Sequence, residues 1–552
     1  MDFNELAELI FPNAKDISYY EEKYPARNLP EGAAVTRFAP SPTGFIHIGG
    51  LFGSIIDRKI AGQTDGVFIL RIEDTDQKRE IENGVLQIVE GLKAFDIVPN
   101  EGVTSETEEI GNYGPYKQSE RKDIYQAYAK SLIKQGLAYP CFCTPEELEE
   151  IRAKQEAAKI RPGYYGVWAK YRTLPIDEAV EKIKNGEHYI IRFKSQGRED
   201  RRIKHKDCIK GNIEFPENDQ DIVIIKADGL PTYHFAHAVD DHLMRVTHVI
   251  RGDEWVSSLP LHLELFKALG FKPPKYAHTA TIMKDENGSK RKISKRKDPE
   301  AAVSYYHEQG IPSDAVVEYL LNIANSSFEP WRRGNPDKDI SEFELQLNKM
   351  SVSGAVFDMV KLLDVSKNVI SKYSAEKIYE ETIKWASKYD LELEKLLSEN
   401  KEYSIKVLNI ERGKAKPRKD IAKWSDVKEI IKYMYEEEYN KMNKYEFQKV
   451  NDKEEIKDIL NSYIEKYFDI SDDKDTWFNK MKDLSEEKGY SREVKAYKQE
   501  PEKYKGHVGD ISTVIRVALT TKCNTPDLYE IMQVLGEETV KNRIERFVIC
   551  MK

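Results

Sequence analysis

The order of apolar and polar positions near the start of the chain predicts alternating strands and helices. Short apolar runs at residues 35–39 and 67–72 predict two strands, and helical periodicity predicts a helix between them at residues 48–62. A strand–helix–strand unit implies a parallel sheet whose ligand lies at the carboxyl ends of its strands. Further helical periodicity follows at residues 81–95 and 121–136. The sequence therefore predicts an α/β domain.

The pattern changes twice farther along the chain. Between Tyr139 and Leu230 the elements become short strands and loops, which indicates an insertion that splits the α/β fold. The α/β pattern resumes with a strand at residues 246–251 and a helix at residues 258–269. After Asp298 no strand alternation is evident, and the Lys-, Glu- and Leu-rich remainder predicts helical bundles.

Composition narrows the class of protein. A chain of 552 residues is too long for one hydrophobic core, so several domains are expected. No apolar run is long enough to cross a bilayer, and the acidic first 22 residues do not fit a secretory signal. Five cysteines fit a reducing compartment. We therefore expect a cytoplasmic protein with no membrane partner. The net charge of −9 leaves a nucleic-acid partner open, because only the local charge distribution matters in a multidomain chain.

Two short segments could bind one nucleotide together. Residues 41–50, Ser-Pro-Thr-Gly-Phe-Ile-His-Ile-Gly-Gly, turn from a predicted strand into a helix whose N-terminal N–H groups suit phosphate oxygens. Residues 292–296, Lys-Ile-Ser-Lys-Arg, form a cationic loop that could neutralise a triphosphate. Each segment alone would more often be a helix cap or a solvated charge run. Together they suit transfer of an adenylyl group from ATP, with His47 stabilising charge on the α-phosphate.

These segments resemble the two signature motifs of class I aminoacyl-tRNA synthetases. The first motif corresponds to residues 47–50 and the second to residues 292–296. Other stretches closely resemble the glutamyl/glutaminyl subfamily, namely residues 37–40, 70–76, 114–121, 232–242 and 249–255. The resemblance covers nearly all of residues 36–370 and is weaker beyond them. The helical C-terminal part resembles the bacterial glutamyl type, since the other members of the subfamily read the anticodon with β-barrels.

The resemblance implies a fold and its boundaries. The fold class is α/β, a Rossmann-like class I synthetase catalytic domain split by an α+β insertion and followed by all-α anticodon-binding domains. The expected segments are an N-terminal extension (1–33), the first half of the catalytic domain (34–138), an inserted tRNA acceptor-binding domain (139–231), the second catalytic half (232–298), a stem-contact helical domain (299–370) and one or more helical anticodon-binding domains (371–552). The extension before Thr36 has no recognised counterpart.

The resemblance also implies the site residues. His47, Lys292 and Lys295 would be catalytic. The residues expected to bind ATP are Ser41, Thr43, Gly44, His47, Gly49, Gly50, Glu254, Lys292, Ile293, Ser294, Lys295 and Arg296. The residues expected to bind glutamate are Arg37, Phe38, Ala39, Ser41, Glu73, Tyr233, His237 and Arg251. Two arginines suit a side-chain carboxylate, because guanidinium groups hold carboxylates in forked hydrogen bonds.

The implied reaction has two steps. ATP and L-glutamate would give glutamyl-adenylate and diphosphate, and the adenylate would then acylate the terminal adenosine of tRNA(Glu). Mg²⁺ would accompany ATP, and a monomer is expected. Arg418 resembles a residue that monitors the last anticodon base, although a solvated charge run fits Lys416–Asp420 almost as well.

Zinc is not expected. Some relatives bind zinc through a pair like Cys141 and Cys143 plus two later ligands, but the matching later positions here are Trp168 and Lys170. Two cysteines alone do not complete a tetrahedral site.

Three alternatives remain open from the sequence. They are a glutaminyl-tRNA synthetase, a catalytically inactive RNA-binding paralogue, and a nucleotidyltransferase acting on a small molecule. The retained His47 and lysines weigh against an inactive paralogue, and the long helical tail weighs against a small-molecule enzyme. His237 departs from the family pattern, in which asparagine is usual, so altered selectivity or pH dependence is a further expectation.

Overall fold

The structure is a computed structural model that describes residues 2–76, 80–294, 296–445 and 447–550. The chain divides into two compact units. The first comprises Met1–Tyr305 and Val317–Asp358, and the second comprises Tyr306–Val316 and Met359–Lys552. The finer boundaries predicted from the sequence stay predictions.

Two helices of the N-terminal segment, α1 (Phe3–Ile10) and α2 (Ile17–Lys23), precede the first strand. Asp2 caps α1 in a capping box with Glu5, which explains why a helix begins at the very start of the chain. The segment after α2 is tied to the α/β core, because Arg27 holds Glu101 through two hydrogen bonds of 2.7 and 2.9 Å. The extension is therefore a packed part of the first unit.

A parallel sheet forms the centre of the first unit. Its strands are β1 (Val35–Phe38), β2 (Val67–Leu70) and β3 (Glu101–Val103), with β4 (Glu109–Ile110) antiparallel at the edge. The helices of this half are α3 (Ile48–Gly62), α4 (Gly84–Lys93) and α5 (Lys122–Lys134). The strand β2 is a continuous apolar run, as expected for a parallel strand covered on both faces. The predicted strand–helix–strand unit is confirmed.

The insertion is an α+β segment, as predicted. Its strands β5 (Ala138–Cys141), β6 (Ile190–Phe193) and β9 (Val223–Ile225) form one antiparallel sheet, and β7 (Arg202–Asp207) and β8 (Gly211–Pro216) form a hairpin. Two helices, α6 (Pro145–Ala157) and α7 (Ile176–Lys184), lie between β5 and β6 in the chain.

After the insertion the parallel architecture resumes. Helix α8 (Tyr233–Leu243) leads to β10 (His248–Gly252), and α9 (Leu259–Ala268) leads to β11 (Lys275–Thr279), which is parallel to β10. Thr247 joins the two halves of the domain, since its backbone N–H donates to the carbonyl of Val35 at 2.9 Å. The strand β10 therefore lies beside β1, and the two strands end at one edge.

One expectation for the region after Asp298 is wrong. A short strand, β14 (Ala355–Phe357), runs parallel to β12 (Ile282–Glu286), which pairs with β13 (Ser289–Lys292) in a hairpin. Three residues are too few to show an alternating pattern, so the sequence gives no signal for β14. The helices between are α10 (Ser304–Gln309), α11 (Ser313–Ala324) and α12 (Phe328–Gly334).

The second unit is all-α in its described residues, which confirms the predicted helical C-terminal part. Its elements from Met359 onward are α13 (Met359–Ser371), α14 (Ala375–Tyr389), α15 (Leu391–Ser398), α16 (Lys401–Asn409), α17 (Val427–Ile431), α18 (Glu436–Tyr439), α19 (Lys453–Ser462), α20 (Lys474–Glu487), α21 (Val494–Gln499), α22 (Val508–Thr520), α23 (Leu528–Leu535) and α24 (Glu537–Cys550). One continuous hydrophobic core, which includes Trp424, Tyr463 and Leu519, holds these helices together. Across the described residues of the chain, no helix is both long and apolar enough to span a membrane.

Candidate active site

The carboxyl ends of β1 and β10 open into a cavity of about 740 Å³. Most of the residues predicted from the sequence line it together: Arg37, Phe38, Ala39, Ser41, His47, Gly49, Gly50, Glu73, Tyr233, Arg251, Glu254, Lys292 and Ile293. Thr43, Gly44, His237, Ser294 and Arg296 are not among its lining residues. Lys295 lies outside the described residues, and Arg418 belongs to the second unit.

His47 is both a helix cap and a cavity residue. It is the N-cap of α3, and its Nδ1 accepts a hydrogen bond of 3.0 Å from the backbone N–H of Gly49. A neutral imidazole has one N–H, so the hydrogen is on Nε2. The capping bond therefore fixes the tautomer that can donate to a phosphate oxygen. The helix N-terminus adds its own attraction for an anion.

Close packing explains one glycine of the first motif. A Cβ added at Gly50 would lie 3.3 Å from Cζ of Phe38 and 3.4 Å from Cγ2 of Ile46. A side chain here would crowd Ile46, which precedes His47, and Phe38, which lines the cavity. Glycine therefore lets the start of α3 approach β1 closely.

The second motif begins at the end of a strand instead of in a loop throughout. Lys292 is the last residue of β13, and its side chain is 60% exposed with Nζ 3.9 Å from a carboxylate oxygen of Glu254. Asp298 anchors the residues on both sides of Lys292, because it accepts hydrogen bonds from the guanidinium of Arg291 and the backbone N–H of Ser294. Those bonds, with Arg291 first, hold the pKa of Asp298 well below its usual range. The base of the motif is thus fixed while Lys292 reaches into the cavity.

Behind Arg37, which lines the cavity, lies a cluster of buried arginines held by carboxylates. We name Arg37, Arg71, Arg121, Asp240 and Asp241 the carboxylate wall. Arg71 lies 2.6 Å from Asp241, Arg121 lies 2.7 Å from Asp240, and Arg37 Nε lies 3.2 Å from Asp241. All five are buried. Two carboxylates oppose three guanidinium groups, and the remaining positive charge faces Glu73, which lies 3.3 Å from Arg71.

The charges of this wall set its pKa values. Burial alone would raise the pKa of Asp241, but Arg37 and Arg71 outweigh burial and hold that pKa well below its usual range. Burial raises the pKa of Glu73 to about 7, against the opposing effect of Arg71 and Arg37. Asp241 is therefore a fixed anion at neutral pH, whereas Glu73 is poised to gain charge when a cation arrives.

Arg251, which also lines the cavity, is held by imidazoles instead of carboxylates. We name Arg251, His262, His278, His234 and Asp207 the imidazole wall. Arg251 donates from Nε to Nε2 of His278 and from Nη1 to Nδ1 of His262, each at 3.0 Å. Nδ1 of His278 lies 2.6 Å from Asp207, and Nε2 of His262 lies 2.8 Å from Nδ1 of His234. Arg251 is 8% exposed and forms no salt bridge with a carboxylate in the described part of the chain.

The direction of each hydrogen bond in this wall follows from the arginine. A guanidinium only donates, so Nε2 of His278 and Nδ1 of His262 both accept. His278 then donates from Nδ1 to Asp207, and His262 donates from Nε2 to His234. Burial lowers the pKa of His278, lowers that of His262 well below its usual range and lowers that of His234 to about 4. The imidazoles are therefore neutral at pH 7.

His237 lies one layer away from the cavity surface. Its ring is fully buried and stacks on that of Tyr233, with centroids 6.1 Å apart and an interplanar angle of 11°. Its Nε2 lies 3.0 Å from the hydroxyl of Tyr276, and its Nδ1 lies 2.8 Å from Asp241. The structure thus gives His237 a supporting position behind Tyr233, and direct contact with a substrate stays a prediction.

Two other predicted features have distinct surroundings. The thiols of Cys141 and Cys143 both lie 3.4 Å from the hydroxyl of Tyr164, and the described residues contain no group of three or more His, Cys, Asp or Glu suited to a metal. Arg418 is 9% exposed, and its Nε donates to both oxygens of Asp420 at 2.6 and 2.7 Å. A role for Arg418 in reading a base stays a prediction.

Sequence reasoning missed several residues of the cavity. Asp57 is 1% exposed and lines it, and neither of its carboxylate oxygens has a hydrogen-bond partner. Burial raises the pKa of Asp57 well above its usual range, which favours the neutral form of this carboxyl on α3. His262 and His278, which contact Arg251 without lining the cavity, were also missed, because a single buried histidine resembles an ordinary core residue in the sequence.

Comparison with known proteins identifies the family. Residues 33–362 match the family model of tRNA synthetases class I (E and Q), catalytic domain, and residues 377–548 match an anticodon binding domain. The chain is 54% identical over 551 residues to the glutamate–tRNA ligase of Clostridium perfringens (strain SM101), covering 99% of this chain and all of that protein. The chain belongs to the glutamate–tRNA ligase family.

Other members of the glutamate–tRNA ligase family agree. The ligase of Acetivibrio thermocellus is 52% identical over 552 residues, covering 99% of this chain and all of that protein. A crystal structure of the glutamate tRNA ligase from Elizabethkingia meningosepticum in complex with its amino acid has a TM-score of 0.74 and 27% identity, covering 94% of this chain and all of that one. The family and fold class predicted from the sequence are confirmed.

Proposed function

We propose that this protein ligates L-glutamate to the 3′ end of tRNA(Glu) through glutamyl-adenylate, releasing AMP and diphosphate. The observation that carries the proposal is the cavity, which brings the first motif, the second motif and two buried arginines together. The match to glutamate–tRNA ligases along the whole chain supports the same activity. It does not favour the glutaminyl or inactive alternatives.

The nucleotide would lie against the start of α3. Nε2–H of His47 would donate to an oxygen of the α-phosphate as the α-carboxylate of glutamate attacks phosphorus and diphosphate leaves. Lys292, and Lys295 beyond the described residues, would neutralise the departing diphosphate. Removing one such donor typically costs about 10²–10³ in rate.

Glutamate would lie between the two walls. Arg37 and Arg251 would hold its side-chain carboxylate, Tyr233 would contribute its hydroxyl, and Glu73 would pair with the α-ammonium group. In the second step the 2′-hydroxyl of the terminal adenosine of tRNA would attack the acyl carbon, and AMP would leave. Each step exchanges one bond to phosphorus or carbon for another, with no change of oxidation state.

Mg²⁺ would enter with ATP. The described residues offer no ready-made group of three metal ligands, and Mg²⁺ is commonly held by phosphate oxygens, water and one or two carboxylates. Glu254 is the exposed carboxylate of the cavity that fits this description. The cytoplasmic location, the monomeric state and the absence of zinc stay predictions. Sedimentation of the purified protein would test the monomeric state, and metal analysis would test for zinc.

Aminoacylation with labelled amino acids tests the proposal. Labelled glutamate and labelled glutamine are each offered with tRNA(Glu) and with tRNA(Gln). Glutamate attached to tRNA(Glu) supports the proposed ligase, and attachment to both tRNAs would show that it does not discriminate between them. Charging by glutamine alone, or no charging at all, would overturn the proposal.

A variant tests the role of the second motif. Lys292→Ala should slow adenylate formation by about 10²-fold, measured as tRNA-dependent diphosphate exchange, because a cation aimed at the phosphates is lost. Binding of tRNA should change little. Equal losses in both measurements would make Lys292 an RNA contact instead.

A further inference from the structure

The imidazole wall holds Arg251 in an unusual way for a buried cation. Buried guanidinium groups are commonly paired with carboxylates, since an uncompensated buried charge is costly. Arg251 instead donates to His278, to His262 and to the carbonyl of Trp255 at 3.3 Å. Its Cζ also lies 4.8 Å from the ring centroid of Tyr276.

These contacts use three of the five N–H bonds of a guanidinium. In the described part of the chain, one N–H on each terminal nitrogen remains for another partner, and Arg251 lines the cavity. A carboxylate takes two parallel N–H···O bonds from such a fork. Contacts with the protein therefore fix the orientation of the Arg251 guanidinium, and two of its N–H bonds remain for a ligand.

The two imidazoles are themselves fixed. Asp207 also accepts from the backbone N–H groups of Ile209 and Lys210, at 2.9 and 2.8 Å, so its carboxylate cannot rotate without breaking other bonds. It thereby orders His278, which is fully buried. His234, on α8, does the same for His262, on α9. The neutral ring of His278 therefore lies between the carboxylate of Asp207 and the guanidinium of Arg251.

We propose that His262 and His278 are positioning residues for amino-acid selection, which aim Arg251 into the cavity as neutral acceptors and leave its charge to the side-chain carboxylate of the substrate. The proposal rests on the proposed function, because it takes that carboxylate as the partner of Arg251. It goes beyond that function because it says how the positive charge of Arg251 stays available to select the substrate. The other titratable groups that face this cluster include Tyr233, Tyr276, His237, His205, Lys210 and Asp241.

Two variants of His262 that match each other in shape, Asn and Asp, separate the orientation of Arg251 from the neutralisation of its charge. In His262→Asn the amide oxygen can accept the bond that Nδ1 accepts, so the KM for glutamate should stay within about threefold of the wild type, as for a replaced neutral bond. In His262→Asp a carboxylate accepts the same bond but neutralises Arg251, so the KM for glutamate should rise about 10- to 100-fold. In both variants the KM values for ATP and tRNA should stay unchanged.

Loss and rescue at His278 provide an independent test on another element. His278→Leu leaves Nε of Arg251 without an acceptor and should raise the KM for glutamate about 10-fold or more, with kcat nearly unchanged. His278→Gln places an amide oxygen near the position of Nε2 and should recover most of that loss. His248→Gln is the matched control, because His248 lies on the same strand as Arg251 and contacts Thr247 instead.

The outcomes distinguish this proposal from the proposed function. Failure of the wild-type enzyme to charge tRNA with glutamate overturns the function itself. If the wild type charges tRNA but the two His262 variants have equal KM values for glutamate, the assignment of charge is wrong. If His278→Leu lowers kcat and raises every KM equally, with no recovery in His278→Gln, the histidines are merely structural. Should His278→Leu fail to fold, the His262 pair still decides.

Discussion

Arg37 and Arg251 line the same cavity, yet different kinds of partner hold their guanidinium groups. In the carboxylate wall, Asp241 lies within 3.2 Å of Arg37 and 2.6 Å of Arg71, so buried charges of both signs are interlocked. In the imidazole wall, Arg251 donates to two neutral rings. The first arrangement ties folding to ion pairing, because a buried charge that loses its partner is strongly destabilising. The second leaves the charge of the arginine for its ligand, so removing the arginine should lower the free energy of unfolding less.

Removing one charge from the carboxylate wall should have the largest effect. Asp241→Asn leaves Arg37 and Arg71 with one anion fewer, and we expect the free energy of unfolding of the first unit to fall by about 3–5 kcal/mol. Native-state hydrogen exchange of amides in β1 and α8 measures this free energy region by region.

The matching change in the other wall should be milder. Asp207→Asn keeps an oxygen that accepts from the backbone and disturbs only one neutral imidazole, so a loss of about 1 kcal/mol is expected. Equal losses in the two variants would show that the walls do not differ in the way proposed.

Removing the arginine of the imidazole wall should separate binding from stability. Arg251→Gln should lower kcat/KM for glutamate about 100-fold or more, since a buried charge that meets the substrate carboxylate is lost. Thermal unfolding should change little, because the neutral rings left behind are not uncompensated charges. A large fall in the unfolding temperature would instead give Arg251 a structural role like that of Arg71.

His237 joins the two walls and should give the fold a pH dependence. Burial lowers its pKa to about 4, so the unfolded chain takes up a proton from about pH 6.5 downward while the folded ring stays neutral. Stability is then present above pH 6.5 and is lost as pH falls toward 4, by about 2 kcal/mol between pH 7 and pH 5 for this one ring. His237→Asn removes the titrating ring, so its loss of stability over this range should be smaller. An unchanged pH dependence would assign the effect to other buried groups, such as His234.

The sequence predicted local elements such as helices well, but it did not predict contacts between residues far apart in the chain. Helix α3 was predicted with its observed bounds because its apolar face and its cap at His47 are adjacent in the chain. The partners of the two arginines were not predicted, since Asp241 is 204 positions from Arg37 and His278 is 27 positions from Arg251. The same limit explains His237, which has a motif position but is turned toward Tyr276 and Asp241. Sequence motifs placed most of the cavity residues, whereas the way each wall balances its charge depends on the folded chain.

A pH effect on binding sharpens the comparison through Glu73, which lies beside the carboxylate wall. Its pKa of about 7 means that the carboxyl is mostly protonated at pH 6, so the α-ammonium group of glutamate meets a neutral partner. We expect the KM for glutamate to rise about tenfold from pH 8 to pH 6, as the ionised fraction falls by one decade per unit below the pKa. Burial lowers the pKa of each histidine in the imidazole wall below its usual value, which disfavours protonation of these rings as the pH falls. Glu73→Gln should therefore abolish the pH dependence of the KM and raise the KM at pH 8, whereas His262→Asn should keep that dependence. If His262→Asn abolished it instead, the titrating group would belong to the imidazole wall and the two walls would share one electrostatic role.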